Sequence, residues 1–128
     1  MKENIIKTKS FAFALKIVKL YQFLVKNKKE FVLSKQILRS GTSIGAMICE
    51  SEHAESRLDF IHKLAIAQKE ANETEYWIEL LFQSKLITSE SYNQTMSELK
   101  EIQKIISSII ITTKTNYKRN SQFIINNS

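Results

Sequence analysis

The 128-residue chain contains no proline, two glycines and one cysteine. With proline absent and glycine this rare, the sharp turn punctuation of β-rich folds is missing, and helices become the default reading. The lone Cys49 cannot close an internal disulfide and supplies no metal-binding cluster, which fits a reducing compartment and predicts a cytoplasmic protein. Long apolar runs are missing too. Ile105 to Ile111 is interrupted by Ser107 and Ser108, far short of the roughly 20 residues of a membrane span. The lysines before Phe11 to Leu15 imitate a secretion signal, but Lys16 and Lys19 break the apolar segment and no small-residue cleavage site follows.

Hydrophobic residues make up 43% of the chain and charged ones 25%, the composition of one ordinary globular domain. The net charge of +6 is unevenly spread. Residues 1–40 hold ten Lys/Arg against two acids, residues 41–100 five against ten, and residues 101–128 four against one. Such polarity suits a nucleic-acid face. It also suits head-to-tail association of identical subunits, basic parts meeting acidic ones.

Hydrophobic spacing predicts an all-α fold, an antiparallel up-down-up-down four-helix bundle over residues 1–116, followed by a disordered polar tail over 117–128. Helix 1 is expected from an N-cap at Thr8 or Ser10 to about Asn27, with Phe11, Ala14, Val18, Tyr21 and Val25 inward. Helix 2 runs from about Leu33 with Ile37, Gly41, Ile44 and Ile48 inward. Ser56 to Asp59 reads as a variant capping box opening helix 3, whose seam is Phe60, Leu64, Ala67, Ala71, Thr74, Ile78 and Leu81, with Ile66, Glu70, Glu73, Trp77 and Leu80 as a second stripe. Helix 4 starts after a cap at Thr88 or Ser89, carries Leu99, Ile102, Ile106 and Ile109 inward, and is expected to end near 113–116. In an antiparallel hairpin of helices 2 and 3, position i faces roughly position 110 minus i. That register sets Gly41 and Gly45 against Ala65, Ala67 and Ala71. Since a helical glycine costs about 1 kcal/mol relative to alanine, the pair predicts a close backbone approach.

Candidate chemistry is sparse. Glu50 with His53 and Asp59 with His62 have the i, i+3 spacing of bundle di-metal sites, but helix 1 has no acid between Glu3 and Glu30 to complete one. Cys49 has only His53 at a helical spacing, and neither a phosphate-cradling glycine loop nor a zinc-finger spacing occurs. No catalytic residue, metal site or cofactor is expected, and the chain reads as a non-enzyme.

Lys9, Lys16, Lys19 and Lys26 fall within about a 100° sector of helix 1, and Lys28, Lys29, Lys35 and Arg39 extend the positive field. This is either a phosphate-contacting surface, with steeply salt-dependent affinity, or a solvated face that keeps a helix soluble. Aromatics interleaved with exposed cations, the mark of stacking on single strands, are not evident in the pattern. Arg39 also lies opposite position 71 in the expected register, within reach of Glu70 or Glu73, where an ionic cluster would set helix register or a subunit contact.

The string Leu-Arg-Ser-Gly-Thr-Ser-Ile-Gly-Ala (38–46), then Asp59-Phe60, then Lys-Glu-Ala-x-Glu-Thr-x-Tyr-Trp (69–77) with Leu80-Leu81, resembles the bacterial 23S rRNA intervening-sequence proteins, relatives of the accessory variability protein of diversity-generating retroelements. The resemblance covers about residues 8–115. It implies a four-helix bundle assembled as a ring-like homopentamer without enzymatic activity. For the retroelement relatives it also implies a basic surface that engages nucleic acid, RNA or DNA, and a reverse transcriptase. The motif residues Arg39, Gly41, Ser43, Gly45, Asp59, Phe60, Lys69, Glu70, Glu73, Tyr76 and Trp77 are then expected at helix packing or subunit contacts. Met47 and Gln68 depart from the pattern, where asparagine and an apolar residue are usual. Two readings follow: an oligomeric nucleic-acid-binding accessory factor, in which assembly multiplies the helix 1 lysines into one basic surface, and an assembly or scaffold module with protein partners alone.

Overall fold

The computed structural model describes residues 2–126, with side chains from Ile5 to Ile125. Four α-helices follow one another, α1 (Lys2–Lys28), α2 (Leu33–Ser51), α3 (Arg57–Gln83) and α4 (Ser89–Asn126), and no strand occurs among the described residues. Connections over 29–32, 52–56 and 84–88 are short enough to make consecutive helices antiparallel neighbours. Each helix packs on the two beside it in a closed ring, α1 against α2 and α4, α3 against α2 and α4, while the diagonal pairs stay apart.

The buried seam of α1 differs from the expected one. Ile6, Ser10, Phe13, Ile17 and Leu24 face the core, with Leu20 packed against it, in 4-3-4-3-4 steps. Phe11 points out at 65% exposure, and Ala14, Val18, Tyr21 and Val25 are only half-buried. Two apolar stripes with the same spacing share this helix, and periodicity alone does not separate them. The N-cap also moves. α1 already runs from Lys2, so Ser10 is a buried mid-helix residue whose hydroxyl donates to the Lys7 carbonyl.

The glycines explain which stripe wins. A Cβ on Gly41 would stand 2.9 Å from both γ-carbons of Ile17, and one on Gly45 would stand 3.4 Å from the Ser10 carbonyl oxygen. Their close partner is therefore α1, and the expected pairing with the helix 3 alanines is corrected. Ala67 and Ala71 are buried, whereas Ala65 is exposed. The α2–α3 register itself is close to the expected one: Arg39 reaches Glu70, and the buried Thr74 hydroxyl donates to Ser40 Oγ at 2.9 Å.

The α3 seam contains Leu64, Ala67, Ala71, Thr74, Ile78 and Leu81, with Ile61 replacing Phe60 as its buried first member. Leu99, Ile102, Ile106 and Ile109 are the buried face of α4. Ser56 caps α3 by accepting from the Asp59 N–H, and the Asp59 carboxylate accepts from the Glu55 N–H. Thr88 caps α4 through the Ser91 N–H. Gln68 bridges to α4, donating to the Gln103 carbonyl and the Ser107 hydroxyl, a polar link between the two helices.

α4 does not end near 113–116. It continues to Asn126, and the segment expected to be a disordered tail is helical over 117–126, with Asn127 and Ser128 outside the described residues. Neither proline nor glycine interrupts the ladder, so only burial stops. Ile109 is the last buried residue among those described, and Phe123, Ile124 and Ile125 are exposed.

Candidate functional site

The lysines expected to form one surface fall into two groups. Lys9 pairs with Glu101 and Lys16 with Glu98, each at 2.6 Å across the α1–α4 seam. Arg39 pairs with Glu70 at 2.9 Å and with Glu73 across the α2–α3 seam. These three cations are matched within the chain, and the continuous helix 1 face is reduced accordingly. No ion pair engages Lys19, Lys26, Lys28, Lys29 or Lys35 among the described residues.

Topology collects this second group. The C-terminus of α1, the N-terminus of α2, the α3–α4 turn and the N-terminus of α4 all lie at one end of the bundle, and the turn adds Lys85. Among the described residues, the non-glycine ones with positive φ are Lys29 at 54° and Lys85 at 63°, both at this end. Each occupies the left-handed position where glycine would end a helix at lower cost. Around Lys85 the turn closes by Lys85 N–H to the Phe82 carbonyl and Leu86 N–H to the Leu81 carbonyl, a Schellman arrangement with lysine in the glycine position.

Two carboxylates at this end are already engaged. Burial pushes the Glu30 carboxyl up, but the backbone N–H groups of Leu33, Ser34 and Val32 and the Ser34 hydroxyl outweigh it and hold Glu30 below its ordinary value of 4.5. Glu30 thus works as the cap of α2, accepting from Leu33 at 2.9 Å and Ser34 at 2.7 Å. Glu79 accepts from the Tyr92 hydroxyl and Gln83, which lowers its pKa and raises that of Tyr92. Glu90 is exposed in the first turn of α4. The opposite end carries exposed Glu50, Glu52, His53 and Glu55, with Lys7 bridged to Glu52. That end is not acidic as a whole, since exposed Arg57 and the exposed Lys114, Lys118 and Arg119 of α4 stand there too.

Exposed aromatics, not evident in the pattern, do stand among the free cations. Phe23 is 41% and Phe31 53% exposed, and the Lys28 ammonium lies over the Phe23 ring, 5.9 Å from its centroid. Phe23 lies off the α1 seam, so a helical wheel with the correct stripe would have placed it outside. Phe23 and Lys28 border a groove of about 510 Å³ between α1 and the α3–α4 turn, floored by Leu20, Leu86 and Ile87 and edged by Lys16, Lys19 and Lys85.

Of the motif residues, Phe60 packs on the core and Gly41 and Gly45 receive α1, while Ser43 donates to the Arg39 carbonyl within α2. Lys69 is exposed. Tyr76 is exposed and meets Trp77 edge-on at 5.1 Å, and the buried Trp77 Nε1 finds no hydrogen-bond partner among the described residues. His53, His62 and Cys49 are exposed near the α2–α3 turn, and no group of three potential metal ligands occurs among the described residues. No described helix is long and apolar enough to cross a membrane.

Residues 2–108 match the family described as 23S rRNA-intervening sequence protein. The chain belongs to this family. A solved structure from Bacteroides thetaiotaomicron VPI-5482, described as a protein with unknown function from the S23 ribosomal protein family, is 61% identical to this member. Its TM-score is 0.85, and the match covers 86% of this chain and 98% of that one. None of the curated proteins matches. For this intervening-sequence family member the four-helix fold is thus shared with a relative of unknown function.

Proposed function

We propose that this family member is a non-catalytic, oligomeric accessory factor that binds nucleic acid through its basic end. The observation that carries this reading is the separation of cations: Lys9, Lys16 and Arg39 are neutralised by carboxylates, while Lys19, Lys26, Lys28, Lys29, Lys35 and Lys85 share one end. The family's description names an intervening sequence of 23S rRNA, an RNA context in keeping with that surface. A homopentamer with these ends on one side would repeat the cluster around a ring and gain avidity from weak contacts.

A specific observation favours assembly as a second activity. Exposed Phe11 borders an apolar groove between α1 and α2, lined also by Ala14, Gly45, Ala46 and Cys49. In the scaffold reading, surfaces of this kind serve protein partners alone.

A mobility shift with structured RNA and duplex DNA at two salt concentrations, beside light scattering for mass, separates the two. The first reading expects a complex that weakens linearly in log salt and is lost on charge reversal of Lys19, Lys26 and Lys35 with mass unchanged. A particle indifferent to both polyanions leaves the scaffold reading.

A further inference from the structure

We infer that the groove between α1 and the α3–α4 turn is a binding site for single-stranded nucleic acid, taking one unstacked base against Phe23 and its phosphate between Lys19, Lys28 and Lys85. This rests on the nucleic-acid reading above and names the form of ligand that the basic end selects.

The groove joins two properties that a duplex does not use together. Its floor is apolar, with Leu20 and Leu86 beside the Phe23 ring, while no carboxylate lines it. A duplex presents phosphates and groove edges, leaving its base faces stacked on one another. A single strand presents a flat face and a phosphate a few ångströms apart, and stacking on an aromatic is tolerant of base identity. The Phe23 side chain is 41% exposed, and the Lys28 ammonium that lies over its ring, 5.9 Å from the centroid, is on a flexible stem that can swing aside to the phosphate of a base stacking there.

The backbone supports the same assignment. Lys85 sits at φ 63° in the C-terminal turn of α3, where glycine would relieve the strain at the cost of a cation on the groove's rim. The groove's volume of about 510 Å³ matches the range of small-ligand clefts, room for one nucleotide but not for a helix of paired strands.

Fluorescence anisotropy with a labelled oligouridylate of about 12 nucleotides and with the matching RNA duplex, at about 50 mM salt, tests the site. The wild type is expected to bind the single strand about tenfold more tightly than the duplex. Phe23→Leu, at a half-exposed position, should weaken the single strand about tenfold and leave the duplex unchanged, and Lys85→Gly should weaken the single strand while keeping the fold, as circular dichroism reports. Equal affinity for both forms, or a Phe23→Leu variant that binds the single strand like the wild type, overturns the groove assignment and leaves the basic-end reading standing. A wild type that binds neither probe overturns both.

Discussion

Gly41 on α2 lies against Ile17 on α1 so closely that a single added carbon would stand 2.9 Å from two of its side-chain atoms, whereas four residues on the same carbon at Gly45 would stand 3.4 Å from the Ser10 carbonyl. The two glycines of one motif are therefore under different constraints. Ile17 is fully buried and β-branched, so it has no flexible end with which to give way.

Gly41→Ala should destabilise the protein by about 1 kcal/mol, because overpacking of roughly 1–3 kcal/mol exceeds the gain of about 1 kcal/mol in helix propensity. Gly45→Ala should be neutral or stabilising by up to about 1 kcal/mol. Urea melts of the two variants check the pair, and equal effects would contradict the geometry.

Arg39→Met should destabilise by about 0.5–1 kcal/mol, more at low salt than at high, since the guanidinium joins α2 to Glu70 and Glu73 on α3. Glu70 is mostly covered and would be left with an unmatched charge. Adding Glu70→Gln should restore part of the loss in a double-mutant cycle. Unchanged melting for Arg39→Met at every salt concentration would remove the cluster from the list of interactions that hold this register.

Lys16 and Lys19 should behave oppositely, although they are three residues apart on one helix. Lys16→Met breaks the 2.6 Å pair with Glu98 and should lower stability by a few tenths of a kcal/mol with little effect on polyanion binding. Lys19→Met should leave stability unchanged and reduce the log-salt slope of binding by about one. Thermal melts beside anisotropy at several salt concentrations distinguish them.

Acid should weaken the fold through Glu30 and Glu75. Backbone amides and the Ser34 hydroxyl hold Glu30 below 4.5 against the upward push of burial, and hydrogen bonds from Lys100 and Gln103 lower Glu75. A carboxyl that binds its proton less readily when folded contributes its full stability above the ordinary value of 4.5. That contribution is lost as the pH falls through the lower folded value. Glu30→Ala should cost about 1 kcal/mol at neutral pH, as the loss of a helix cap does, and should flatten the decline measured by urea melts between pH 5 and pH 3.

The sequence by itself determined the four helices, the start of α2, the Ser56 cap and the seams of α3 and α4. On these elements the inward positions recur at 3- and 4-residue steps, and with no proline and two glycines little competes with the helix. It also carried the α2–α3 register through Arg39 and its two glutamates. Tertiary structure alone decided the rest. On α1 two stripes of equal spacing compete, and the choice of Phe13 over Phe11 depends on a partner helix whose glycines admit Ile17 and the Ser10 backbone. The end of α4 was illegible because the apolar pattern marks where burial stops and not where the backbone ladder does, and no proline or glycine breaks that ladder. Which lysines remain free was equally hidden, since Glu98 and Glu101 lie some eighty to ninety residues from the cations they neutralise, and pairing across such a distance is set by packing.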